Sequence, residues 1–162
     1  MAALARAVTS TLGAAGAPAP ASIGLTLSDD AELAELNERH LGDKGPTDVV
    51  SFPLLPPGAY PAHAGGPARG HDSDDPGTRA ALAFALPPGR RRHLGDVVVS
   101  VERAIAQARQ GRGGQSGDIA WSDADELRLL ATHGALHVCG WDHADPMEES
   151  AMRTLERNLL AG

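Results

Sequence analysis

Apolar residues along the chain fall into two rhythms, one of helices and one of strands. Leu4, Val8 and Leu12 recur at the interval of one helical face, which predicts a helix over residues 4–13 ended by Gly13. After a Pro/Ala/Gly linker, "SIGLTLSDD" alternates Ile23, Leu25 and Leu27 with small or polar neighbours, the pattern of a half-buried strand. Ser28 and Asp29 can cap a helix through "DDAELAELNERHL", with Leu33, Leu36 and Leu41 facing inward. "TDVVSFPL" is β-branched and stops at Pro53, so it reads as a second strand.

From Pro53 to Arg92 the periodicity fades into Pro, Gly, Ala, His and Arg. This predicts a flexible insertion at about residues 54–92, within which "ALAFAL" can add a short strand. "LGDVVVSV" resumes as a nearly continuous apolar strand, and "VERAIAQARQ" follows as a helix with Ile105 and Ala108 inward. "GRGGQSG" reads as a flexible joint. Ser122 and Asp125 form a capping-box pair that opens a helix running to Gly140, with Leu127, Leu130, Ala131, Gly134 and Val138 as its apolar stripe. Asp145, Pro146, Glu148 and Glu149 then start a last helix that extends to about Leu160. Strands and helices interleave without internal repeats, which predicts an α/β or α+β domain around one small sheet.

Composition narrows the function classes. A chain of 162 residues buries one sizeable core, and a net charge of -7 argues against a broad basic surface that wraps nucleic acid, so any such contact is local. The single cysteine, Cys139, forms no internal disulfide and gives no sign of an oxidising compartment. The start "MAALARAVTSTLGAAGAPAPAS" lacks the continuous apolar core of a signal peptide, and no segment approaches the roughly 20 apolar residues of a membrane span. A cytosolic protein without membrane partners is expected.

The chemistry concentrates in "THGALHVCGWDHAD", which holds three of the seven histidines. His133 and His137 stand one helical turn apart and can share a metal ion. Gly140 permits a left-handed turn that brings His143 back toward them. Three imidazoles at roughly 2.0–2.1 Å leave a fourth tetrahedral position for water, the pattern of a catalytic zinc site. A lone histidine on a helix flank is more often a packed side chain than a ligand. Three at H-x3-H-x5-H with Gly at the bend outweigh that reading. His40, His63, His71 and His93 lack such spacing and receive no role. The metzincin peptidases share this register of histidines and glycine, but they carry a general-base Glu where this chain has Gly134, so peptide hydrolysis is not expected.

"HGALHVCGWDH" resembles the H-G-x-L-H-x-x-G-[YW]-D-H motif of the YbeY family, bacterial endoribonucleases also called rRNA maturation factors. "LNERHLGDKGPTDVVSFP" resembles the family's LN and P-T-D-V-L-S-F-P motifs, and "LGDVVVSVERAIAQA" its L-G-D-I strand and following helix. Family members often carry an aromatic residue and an Arg between LN and PTD, where this chain has His40 and Leu41. Arg39 or the "GRRRH" run at Gly89–His93 is a candidate substitute for that basic contact.

The resemblance implies a single α+β domain over residues 1–162, with a small mixed sheet packed by several helices and the metal site on a helix end and the following turn. It implies one Zn2+ held by His133, His137 and His143, with processing of the 3′ end of small-subunit (16S) ribosomal RNA and ribosome quality control as the role. Ribosomal RNA and the small subunit or its proteins are the implied partners. Asp96 and Asp142 are the candidate catalytic carboxylates, with Asp142 also able to orient a ligand, and the nucleophile is expected to be water on the metal or the RNA 2′-hydroxyl. Asp48 matches a family position near the cleft. Ser51 and Phe52 are candidates for the cleft floor, with a core role favoured for Phe52. Cys139 reads as a small buried hydrophobe rather than a ligand. An assembly factor with a mainly structural metal, or another metal-dependent phosphoesterase, remain the alternatives.

Overall fold

A computed structural model describes residues 2–40, 42, 45, 47–66, 87–111 and 121–161. In chain order the elements are α1 (Ala2–Ala14), β1 (Ala21–Ser28), α2 (Asp30–His40), β2 (Val49–Pro53), a 3-10 turn at Pro57–Ala59, β3 (Arg92–Ser100), α3 (Val101–Gln110), α4 (Asp123–Val138) and α5 (Pro146–Ala161). The strands form one mixed sheet in the order β1-β3-β2, with β1 parallel and β2 antiparallel to β3. This is the α+β architecture with a small mixed sheet that the sequence implies.

The helix starts follow local chemistry. Asp29 Oδ1 accepts the Glu32 amide at 2.9 Å at the head of α2. Ser122 and Asp125 close both halves of a capping box on α4. Asp145 Oδ1 accepts the Met147 amide at 2.8 Å and the Glu148 amide at 3.1 Å, with Pro146 as the first residue of α5. Ser100 caps α3 by accepting the Arg103 amide at 3.1 Å and donates to Asp30 Oδ1 at 2.6 Å, which ties the heads of α2 and α3 together.

Alternation along β3 divides the core in two. Val97 and Val99 face α4, packing with Leu130, Leu136 and Val138. Val98 faces the other way, against Leu33 of α2 and Val50 of β2. A register shift against β1 between Ser22 and Gly24 marks a bulge on β3, and it turns Leu94 into the same core as Val97. Helix α1 covers the outer side of α4 through Leu4, Val8, Ala131 and Ala135.

Three expectations shift. Helix α4 buries more than its predicted stripe: Leu129, Ala135 and Leu136 are buried as well, while Leu127 is half-buried, because neighbours press on several of its sides. On α3, Ala104 and Ala108 are buried and Ile105 is only half-buried. In the expected flexible insertion, residues 54–66 are anchored, with Leu55 and Tyr60 buried in the main core. Two isolated large side chains hold them there, a pattern that carries no periodicity. Leu41, the "ALAFAL" stretch and most of "GRGGQSG" lie outside the described residues.

Gly134 is the point where α4 touches the sheet. A Cβ there would meet Val97 Cγ1 at 2.5 Å, Val49 Cγ2 at 3.0 Å and Ser51 Oγ at 3.1 Å. Gly134→Val is therefore expected to destabilise the protein by about 1–3 kcal/mol through overpacking, despite its better helix propensity. The denaturation midpoint measures this, and an unchanged midpoint contradicts the close contact.

Candidate metal centre and its cleft

The last turns of α4 place His133 and His137 at the rim of the sheet, both half-buried. The helix then closes in a Schellman arrangement, with the Gly140 amide donating to the His137 carbonyl at 3.0 Å and the Trp141 amide to the Leu136 carbonyl at 3.1 Å. Gly140 sits at φ +82°, and a Cβ on it would press on Pro57 Cα at 2.9 Å, so glycine is required twice over. The reversed chain returns His143 to the other two imidazoles. Ring centroids lie 4.6 Å apart for His133 and His137, 5.0 Å for His137 and His143, and 5.9 Å for His133 and His143.

These rings fit a metal ion. One nitrogen from each lies within 4.8 Å of the others, and the two Nε2 atoms of His133 and His137 are 3.1 Å apart. Two imidazoles on one tetrahedral ion at about 2.0–2.1 Å stand about 3.3 Å apart, so these two need almost no movement. Burial, with repulsion from His133 and His143, lowers the His137 pKa to about 4, and its ring is neutral at pH 7 with a lone pair to give. His133 Nδ1 donates to Glu156 Oε1 at 2.6 Å, which leaves Nε2 for the site. Glu156, 8% exposed on α5, is an orienting carboxylate that sequence spacing did not reveal.

The turn before His143 is braced from two sides. Asp142 Oδ1 accepts the His143 amide at 2.7 Å, and the Asp142 amide donates to Glu148 Oε1 at 2.7 Å. Asp142 thus braces the backbone of the turn that carries His143. Glu148, only 3% exposed, also receives His63 Nε2 at 2.7 Å, and the His63 ring stacks on Trp141 at 3.9 Å and 12°. His63, which sequence reading left without a role, therefore pins residues 61–66 to the ligand turn.

Two adjoining cavities open onto the histidines. The larger, about 610 Å³, runs beside edge strand β2 and is lined by Asp48, Ser51, His133, His137, Asp142 and His143 among others. The smaller, about 140 Å³, shares Asp48, His133 and His143 and adds Glu149, Arg153 and Glu156 from α5.

The sequence model described as Endoribonuclease YbeY matches residues 1–162. The chain belongs to the YbeY endoribonuclease family. The Endoribonuclease YbeY of Symbiobacterium thermophilum is 34% identical over 151 residues, covering 93% of this chain and 77% of the relative. That of Salinispora tropica is 39% identical over 141 residues, covering 87% and 73%. A solution structure from Thermotoga maritima superposes with a TM-score of 0.51 at 19% identity, covering 98% of this chain and 80% of that one, which supports the fold.

The remaining residues that match YbeY motifs divide across the sheet. Asp48 stands in the cleft, with Oδ2 accepting Gln107 Nε2 at 3.0 Å and its carbonyl accepting the Ser100 amide at 2.9 Å. Ser51 lines the cleft and donates Oγ to the Gly134 carbonyl at 3.1 Å. Phe52 points to the opposite face, where it packs against the Leu33, Val50 and Val98 cluster. Asp96 pairs with Phe52 across the strands and shares that face, so strand alternation carries it away from the histidines to an exposed contact with His93 at 3.3 Å. The expected place of Asp96 near the cleft is thereby corrected. Arg39 is paired with Glu35 on an exposed face, and neither it nor Arg90, Arg91 or Arg92 lines the two cavities. Cys139 is fully buried and its thiol is pushed up to about 12 by desolvation, which agrees with its reading as a small hydrophobe.

Two outcomes follow from this geometry. Glu156→Gln should weaken zinc binding by roughly tenfold or more, measured by competition with a chromophoric chelator. Wild-type affinity in that variant would show that Glu156 does not orient His133. In metal-free protein, His137 takes up a proton at about 4 when folded but near 6.5 when unfolded, so the unfolded chain binds more protons between those values. Its contribution to stability is complete above pH 6.5 and is lost as pH falls toward 4. Urea titrations at pH 7 and pH 5 should show a drop that shrinks in His137→Gln, and an equal drop in both proteins contradicts the assignment.

Proposed function

We propose that this chain is a zinc-dependent endoribonuclease that cuts single-stranded RNA, acting in the cytoplasm on the 3′ end of 16S ribosomal RNA during small-subunit maturation and quality control. One observation carries the reading: three imidazoles converge at the wall of an open cleft, not in a closed core. A closed structural site would leave no side for substrate. The names of the relatives supply the substrate class. No helix among the described residues is long and apolar enough to cross a membrane.

When bound there, a zinc ion supplies Lewis acidity toward a phosphate oxygen and lowers the pKa of water. The chain's own residues do the rest. His133, His137 and His143 hold the ion, with Glu156 keeping the His133 ring in one tautomer. Asp142, exposed on the cleft wall, engages the His143 amide through Oδ1, and its carboxylate is the candidate to hold a proton from the attacking group. Asp48 sits across the cleft as a second carboxylate of fixed orientation. Position 134 packs on the sheet where a metzincin has its Glu, and a side chain there would run into Val97, so the peptidase route has no base at that position.

Wild-type protein is expected to hold about one zinc per chain and to cut a single-stranded RNA carrying the small-subunit rRNA 3′ end. His137→Ala is expected to lose both metal and cleavage while its circular dichroism spectrum stays native. Zinc without cleavage in the wild type, or unfolding of the variant, would instead mark the metal as structural and the protein as an assembly factor.

A further inference from the structure

Apart from the histidines, the charged side chains lining the two cavities are the carboxylates of Asp48, Asp142, Glu149 and Glu156 and one basic group among the described residues, Arg153. An RNA strand brings a negative charge with every nucleotide, and a chain of net charge -7 gives it no general attraction. Any guanidinium that reaches the cleft therefore matters out of proportion. Three of the four carboxylates already face donors of the chain itself: Glu156 faces His133, Asp48 faces Gln107, and Asp142 faces the His143 amide. The fourth, Glu149, accepts Arg153 Nη2 at 2.6 Å one turn away on α5.

That ion pair is short but open to solvent. The Arg153 side chain is 57% exposed and that of Glu149 39%, and exposed pairs at this spacing hold their partners weakly. Arg153 stands three residues before Glu156, on the helix that orients His133, and it lines the smaller cavity together with His133 and His143. A planar fork of N–H donors matches the geometry of a phosphate better than that of a single carboxylate oxygen. We propose that Arg153 receives a phosphate of the bound RNA strand at the histidine cleft, leaving Glu149 as it does so. The proposal rests on the endoribonuclease reading and adds the group that anchors the substrate.

The test is binding of a fluorescent single-stranded RNA to zinc-loaded protein, followed by anisotropy across a series of salt concentrations. Arg153→Ala is expected to weaken binding by about tenfold. Its slope of log affinity against log salt should be shallower by about 0.7, with zinc content and melting temperature unchanged. Arg153→Lys should recover part of the affinity, and Glu149→Gln should tighten binding because it removes the competing anion. Wild-type affinity and slope in Arg153→Ala overturn the proposal, as does a loss of affinity that tracks lost zinc. Failure of the wild-type protein to bind RNA at all sinks the endoribonuclease reading itself, and the proposal with it.

Discussion

The site depends on how closely α4 approaches the sheet. At Gly134 the helix has no side chain, and Val97, Val49 and Ser51 fill the space that a Cβ would take. Ser51 donates to the carbonyl of the same residue at 3.1 Å, so backbone and strand are held together as well as packed. This contact fixes the helix against β2, and with it the position of His133 one residue before and His137 one turn after. Gly140 completes the arrangement by reversing the chain where Pro57 leaves no room for a side chain.

Helix α5 then supplies the order that a metal site needs. Two of its carboxylates, Glu148 and Glu156, are nearly buried, and each is bonded to an imidazole: Glu148 to His63 and Glu156 to His133. The first bond steadies the turn that carries His143, and the second sets the ring of His133. A buried carboxylate left without its partner is strongly disfavoured, so these pairs act as locks on the packing of α5 and of residues 61–66 rather than as large gains in stability. These bonds brace the centre from behind, while its open side faces the cleft along β2.

What could be read from the sequence was what local chemistry decides. The His133 and His137 spacing, the glycine reversal at Gly140, and the caps at Ser122 and Asp145 all involve residues within one or two turns of each other. Glu156 and His63 were not legible in this way, because their partners are 23 and 85 residues distant and no spacing rule links them. Asp96 was misplaced for a related reason. Its motif put it on the right strand, but the face it presents follows from strand alternation and from pairing with Phe52. Residues 54–66 looked featureless because two anchors, Leu55 and Tyr60, hold a segment without periodicity.

The central claim is that His133, His137 and His143 hold one metal ion and leave a position open to the cleft. X-ray absorption at the zinc edge of the zinc-loaded protein tests it most directly. Three imidazole nitrogens and one further light atom at about 2.0–2.1 Å are predicted. A sulfur at about 2.3 Å, which would bring Cys139 out of the core, or a zinc with fewer than three imidazoles, would contradict the account.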